Sequence, residues 1–229
     1  WYLIQFFSKY QEKTSTDEIT IILPGYTTDK TRHEMEIANN HSFSKITVLK
    51  DYDIIQKVHS SLFNKGQSKN VLYLDFGAFS TKATVIDKEN KIVSYEFNEE
   101  LGIEKVTFKQ AIKDHEGKEE KKHIYDNYIL NTRKDAYKVI SSDSFYDEDF
   151  EKNLNEIIVH SISNSKLNTN SNFEIDEIVL AGGGCELPFV VKTVEKVANG
   201  KKFELIEKVE NNLNKINHLT FLVDGCRLP

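Results

Sequence analysis

The residues in this chain best placed to do chemistry are a carboxylate at the end of an apolar strand and two glycine turns. Asp75 closes the run Asn70-Val71-Leu72-Tyr73-Leu74-Asp75-Phe76-Gly77, which is almost continuously apolar, as a strand buried on both faces requires. A carboxylate there can hold a magnesium ion or orient a water bound to it. The turn that starts at Gly77 can aim backbone N–H groups at phosphate oxygens. The second turn, Gly182-Gly183-Gly184, follows the strand Glu177-Ile178-Val179-Leu180-Ala181. Without β-carbons it leaves bare backbone for a sugar or base to lie against. A helix predicted over Leu187 to Val197, with Pro188 in its first turn, points its positive end toward the same place. Taken singly, each turn also fits what close contact between backbones demands, and the alternative reading of Asp75 is a helix- or turn-capping aspartate.

The elements that must position these groups alternate in type. Glu18 to Leu23 is β-branched and stops at the turn pair Pro24-Gly25, and Asp29 to Asn40 reads as a helix. Lys45 to Leu49 reads as a strand, and Thr81 to Asp87 and Lys91 to Phe97 form a meander turning at Glu89-Asn90. Tyr125 to Ile140 is expected to be helical. Asp147 to Ser161 is a stronger helix, with Phe150, Leu154, Ile157, Ile158 and Ser161 on one face. The Asn/Ser/Thr-rich stretch from Asn164 to Asn172 is expected to be a surface loop, and Asn199-Gly200 to end the last of these helices. Such alternation implies a mixed or parallel sheet flanked by helices, with ligands bound outside the carboxyl ends of its strands. Both glycine turns stand at such ends.

Composition narrows the function classes. A chain of 229 residues with 39% hydrophobic residues can bury a sizeable core, and its net charge of −6 argues against nucleic acid as a partner. No apolar run reaches the roughly 20 residues of a membrane span. Trp1 to Phe7 is shorter than that, lacks the basic start of a signal peptide, and reads as the inner face of a helix. The charged stretch Asp114 to His123 reads as solvated loop or exposed helix; a metal site from His115, Glu119 and His123 would need a supporting shell. Cys185 and Cys226 are either two buried thiols or one bridge. The sequon Asn40-His41-Ser42 matters only in a secretory compartment.

The order of these motifs resembles the nucleotide-binding domain of the heat-shock protein 70 family, within the actin and heat-shock-chaperone ATPase superfamily. Leu23-Pro24-Gly25-Tyr26-Thr27-Thr28-Asp29-Lys30-Thr31-Arg32 is similar to the family's "VPAYF-D-QR" stretch, and Asn70 to Gly77 to its second phosphate-binding strand. Arg133 to Ser142 resembles the helix that reaches over the adenosine, and Glu177 to Pro188 resembles "IVLVGG-TR-IP", the adenosine motif. Asp75-Phe76-Gly77-Ala78-Phe79-Ser80-Thr81-Lys82-Ala83 looks most like the "DMGA-ST-A" of the large endoplasmic-reticulum members, the 170-kilodalton glucose-regulated type.

The resemblance implies an α/β, actin-like ATPase (ribonuclease H-like) fold, with a mixed sheet flanked by helices, comprising the second lobe and part of the first. Residues 1–66 would be a remnant of the first lobe, 67–100 the second-lobe sheet with its phosphate turn, and 101–145 a shortened helical subdomain. Residues 146–208 would carry the second-lobe helices and adenosine motif, and 209–229 a closing helix returning to the first lobe. ATP or ADP with Mg2+ is the implied cofactor, held weakly or not at all by this piece. Asp75 would face the metal through water. Gly77, Ala78, Ser80 and Thr81 would line the phosphates, Lys138 and Ser142 the ribose, and Gly182, Gly183, Gly184 and Glu186 the adenosine. Pro24 and Arg32 match a pair that relays nucleotide state. The implied partners are a BiP-like chaperone ATPase and unfolded polypeptide, in the endoplasmic reticulum lumen, the alternative being the cytoplasm. The implied role is nucleotide exchange and holding of unfolded chains; an ATP-hydrolysing chaperone and an inert scaffold are the alternatives.

The chain also departs from that pattern. It begins after the family's first phosphate loop. Ala78 and Phe79 replace two glycines, Lys82 stands where the family has an acid, and Glu186 stands where an arginine stacks on adenine. The adenosine helix carries Lys134 and Tyr137 at the aligned positions, and Tyr52-Asp53-Ile54-Ile55 stands for a worn Asn-Glu-Pro-Thr segment.

Overall fold

The computed structural model describes Glu12 and residues 15–39, 42–63, 69–114, 132–198 and 204–206. Trp1 to Phe7, Asn40-His41, His115 to His123, Asn199-Gly200 and the closing helix expected over 209–229 lie outside them.

The chain forms two sheets. In the smaller, β1 (Glu18–Leu23) pairs in parallel with β2 (Lys45–Lys50) across the helix α1 (Asp29–Ala38). Thr28 caps α1, its hydroxyl accepting from the Thr31 N–H. Helix α2 (Asp51–Phe63) follows β2 directly; the Asp53 carboxylate accepts the Lys50 N–H at 3.1 Å and closes its first turn.

The larger sheet has the order β5-β4-β3-β6-β7. The strands β3 (Val71–Phe76), β4 (Thr81–Ile86) and β5 (Ile92–Asn98) form the expected antiparallel meander. Asn90 supports its turn with φ 63, an angle asparagine tolerates. Parallel pairs join β3 to β6 (Glu177–Ala181) and β6 to β7 (Glu204–Ile206). The sheet is therefore mixed, with helices on both faces: an α/β architecture.

Period-2 alternation sends Leu72, Leu74 and Phe76 to one face and Val71, Tyr73 and Asp75 to the other. On the first face lie α3 (Ile103–Asp114), α5 (Glu148–Asn168) and α6 (Pro188–Ala198). Phe150 is central there, 6.2 Å from the Phe76 ring and 5.0 Å from Phe189, centroid to centroid. The short helix α4 (Arg133–Ile140) packs on α3, where Arg133 forks onto Glu104. On the second face α2 lays Ile55 and Val58 over Val71, Tyr73 and Val179.

One expectation changes, and two others are met only in part by the described residues. The helix starting after Asp147 runs on through the Asn/Ser stretch to Asn168, so the loop expected from Asn164 begins only at Thr169. Ser161 and Ser165 are small, fully buried, and bond back to the carbonyls of Ile157 and Ser161. Asn168 donates to the Val93 carbonyl of β5 at 2.8 Å, and Asn164 to Glu96. Polar side chains here pack a helix against a sheet instead of opening a loop. Of the helix expected over Tyr125 to Ile140, only residues 132–140 fall among the described residues, and Arg133–Ile140 of these are α-helical. Finally, Cys185 is a buried free thiol, pushed up to about 12 by burial and then by Glu186; Cys226 lies outside the described residues.

Candidate functional site

The β3–β6 register pairs Asp75 with Ala181, so the two glycine turns leave neighbouring parallel strands at the same end of the sheet. Gly182 has φ +79, and a β-carbon on it would lie 2.6 Å from the Phe76 carbonyl oxygen and nearer still to Asp75 Oδ1. Only glycine allows that approach. Residues Gly183–Glu186 then form a single 3-10 turn, with Gly183 and Glu186 exposed and Gly184 packed over Phe76 and Ile103. Helix α6 leaves from this turn.

The first turn is tied down. The Gly77 N–H donates to the Ser80 carbonyl at 3.0 Å, and the carbonyls of Gly77 and Ala78 accept the Ile103 and Glu104 N–H groups at the start of α3. A phosphate would have to meet this turn at Ala78 and Phe79, which are exposed. Ser80 is buried, and the Thr81 hydroxyl is committed to the Leu101 carbonyl at 2.9 Å.

Beneath the turns lies a buried polar network that joins the two sheets. Antiparallel register sets Lys82 of β4 opposite Asp75. The Lys82 ammonium stands 3.4 Å from Asp75 Oδ2 and 3.0 Å from Oδ2 of Asp51, the first residue of α2. Asp51 Oδ1 accepts the Tyr52 N–H at 2.8 Å, and its Oδ2 accepts the Tyr95 hydroxyl at 3.3 Å. That hydroxyl in turn accepts the Gly25 N–H at 3.0 Å. Gly25 is pinched between Tyr52 and Tyr95, and a β-carbon would come within 2.6 Å of the Tyr52 ring. The glycine of the Pro24-Gly25 turn is thus a close-approach residue. Burial pushes the Asp75 carboxyl up, and the Lys82 charge opposes that push. Burial alone would lower the Lys82 amine, but Asp75 and Asp51 outweigh it and hold it above its ordinary value. Burial and then Asp51 push the Tyr95 hydroxyl well up.

The remaining expected residues lie farther out. Lys138 is exposed and pairs with Asp135 at 3.4 Å; the Ser142 hydroxyl donates to the Val139 carbonyl. The end of α4 is held beside α6 by Lys192, which donates to the Asp143 carbonyl at 2.7 Å, and by Phe145 edge-on to Phe189. Pro24 accepts from the Thr27 N–H and hydroxyl, closing its own turn. Arg32 faces solvent, paired with Glu36 one turn on.

Asp51 and Tyr95 are the site residues that sequence reasoning missed. An acid at the carboxyl end of β2, immediately before a helix, was the available signal. The family resemblance instead marks its neighbours Tyr52 to Ile55, one residue too late.

A Mg2+ ion at Asp75 does not fit the donor set. Both carboxylates of the site already share the Lys82 ammonium, and Asp75 Oδ1 faces the Gly182 backbone. Among the described residues no group of three or more His, Cys, Asp or Glu side chains is arranged to hold a metal ion. A recess of about 650 Å³ lies at the other end of the sheet, by Asn70, Asp87 and Phe173. Asn70 there is spent on structure, bonding Glu174, Lys88 and Asp176. No helix among the described residues is long and apolar enough to cross a membrane.

No protein-family model matches the chain, and no curated protein matches it by sequence.

Proposed function

We propose that the chain is part of the nucleotide-binding domain of a heat-shock-70-like chaperone with an actin-like ATPase fold. In this reading it is a divergent regulatory member, acting in the endoplasmic reticulum lumen as nucleotide-exchange partner of a BiP-like ATPase and as a holder of unfolded chains. One observation carries the reading: parallel pairing of Asp75 with Ala181 brings the two glycine turns to one sheet end. A nucleotide could then span them, phosphates toward Ala78 and base toward Gly183.

The same site supports a regulatory role over a hydrolytic one. Gly77 and Thr81 spend their donors inside the fold, and Lys82 engages both carboxylates that catalysis would need. The test is the rate of ADP release from the partner ATPase, measured with a fluorescent analogue. The protein in its full length should accelerate release; an unchanged rate overturns the proposal.

The Lys82 bridge also favours a second reading, an inert scaffold that keeps the fold for protein contact alone. Millimolar ADP separates the two, since a ligand that prefers the native state raises the melting temperature. A rise supports the regulatory reading, and no rise supports the scaffold.

A further inference from the structure

We infer that Lys82 is a built-in substitute for a metal ion: its ammonium fills the cation position between Asp51 and Asp75, so this site works without a divalent cation. The inference rests on the geometry of these side chains and stands whether or not a nucleotide binds.

Three features of the fold converge on that position. The β3–β4 register fixes Lys82 directly across from Asp75, so the amine is delivered by the sheet and not by a loop. The junction of β2 with α2 delivers Asp51 from the other sheet, 1% exposed. The lysine side chain is itself 15% exposed and reaches both carboxylates at 3.0 and 3.4 Å. A single positive charge thus bridges two buried negative ones, as a divalent ion would in a carboxylate pair. The remaining carboxylate oxygens are turned elsewhere, Asp51 Oδ1 to the Tyr52 N–H and Asp75 Oδ1 to the Gly182 backbone. A second cation entering here would meet the ammonium at close range in a poorly screened interior, where like charges repel strongly.

Removing the ammonium should therefore uncover a latent divalent site. The experiment compares melting temperatures of the wild-type chain, Lys82→Ala, and Asp51→Asn combined with Lys82→Ala. Each is measured with and without millimolar Mg2+ or Mn2+ at matched ionic strength. The wild type should not respond to metal. Lys82→Ala should melt roughly 10 °C lower, as expected for a buried charge left unpaired, and recover part of that loss with Mn2+. The double variant should gain nothing from metal. A wild-type response that Asp75→Asn abolishes, or a Lys82→Ala chain indifferent to metal, overturns the inference. If Lys82→Ala does not fold, the electron-paramagnetic signal of free Mn2+ titrated with wild-type chain decides. An undiminished signal upholds the inference, and uptake lost in Asp75→Asn overturns it.

Discussion

Gly182 lies directly against Asp75: a β-carbon at the glycine would fall on the aspartate's Oδ1 and 2.6 Å from the carbonyl oxygen of Phe76. The contact brings the two glycine turns together, because it lets β6 end in a left-handed residue that crosses the end of β3. Gly182→Ala should therefore cost about 2–4 kcal/mol, from backbone strain at φ +79 and from the clash together. Urea unfolding measures it. A loss of under about 0.5 kcal/mol would mean that the approach is looser than described.

Tyr95 ties the small sheet to the large one. Tyr95→Phe removes the acceptor of the Gly25 N–H and the hydroxyl that donates to Asp51. The expected cost is about 1–2 kcal/mol. Amide exchange should rise at Gly25 and at the start of α2, while the centre of β3 stays protected. Uniform loss of protection would show instead that the two sheets open as one unit.

His59 predicts an acid limb. Its Nδ1 lies 2.9 Å from the Tyr73 hydroxyl on the buried face of α2. Burial lowers its pKa to about 4, against a smaller upward pull from Asp87. A depressed value in the folded state means that its contribution is complete above the unfolded value near 6.5. That contribution is lost as pH falls through about 4. Stability should drop by on the order of 2 kcal/mol across that window. His59→Gln should flatten the fall, and an unchanged pH profile in the variant would rule His59 out as its source.

Phe150 anchors α5 on the sheet through Phe76 and Phe189. Phe150→Ala should cost about 3–5 kcal/mol, read from chemical denaturation. Leu167→Ala, at an 82% exposed position of the same helix, should change stability by less than about 0.5 kcal/mol.

The strands were the most legible part of the sequence, and the reason is physical. A strand buried on both faces, such as Val71–Phe76 or Glu177–Ala181, must be apolar along most of its length, and a glycine turn marks its end. Helix α5 past Ser161 was not legible, because Ser165 and Asn168 are loop formers by composition, and only their bonds to the helix backbone and to β5 make them helical. No local pattern marks out α2, whereas α3 falls within the helical subdomain expected over 101–145. Asp51 in particular gains its meaning from Lys82 and Tyr95, thirty and more positions away, and no local pattern announces that. Lys82 was legible as the loss of an acid, but its place between two carboxylates required the β3–β4 register.

The central claim is that the turns at Gly77 and Gly182 form one binding surface for a nucleotide, and amide chemical shifts test it most directly. Titration of the nitrogen-15-labelled chain with ADP in the presence of a chelator should shift the amides of Ala78, Phe79, Gly183 and Gly184 along a single saturation curve. A shift at one turn without the other, or at neither, would contradict the account.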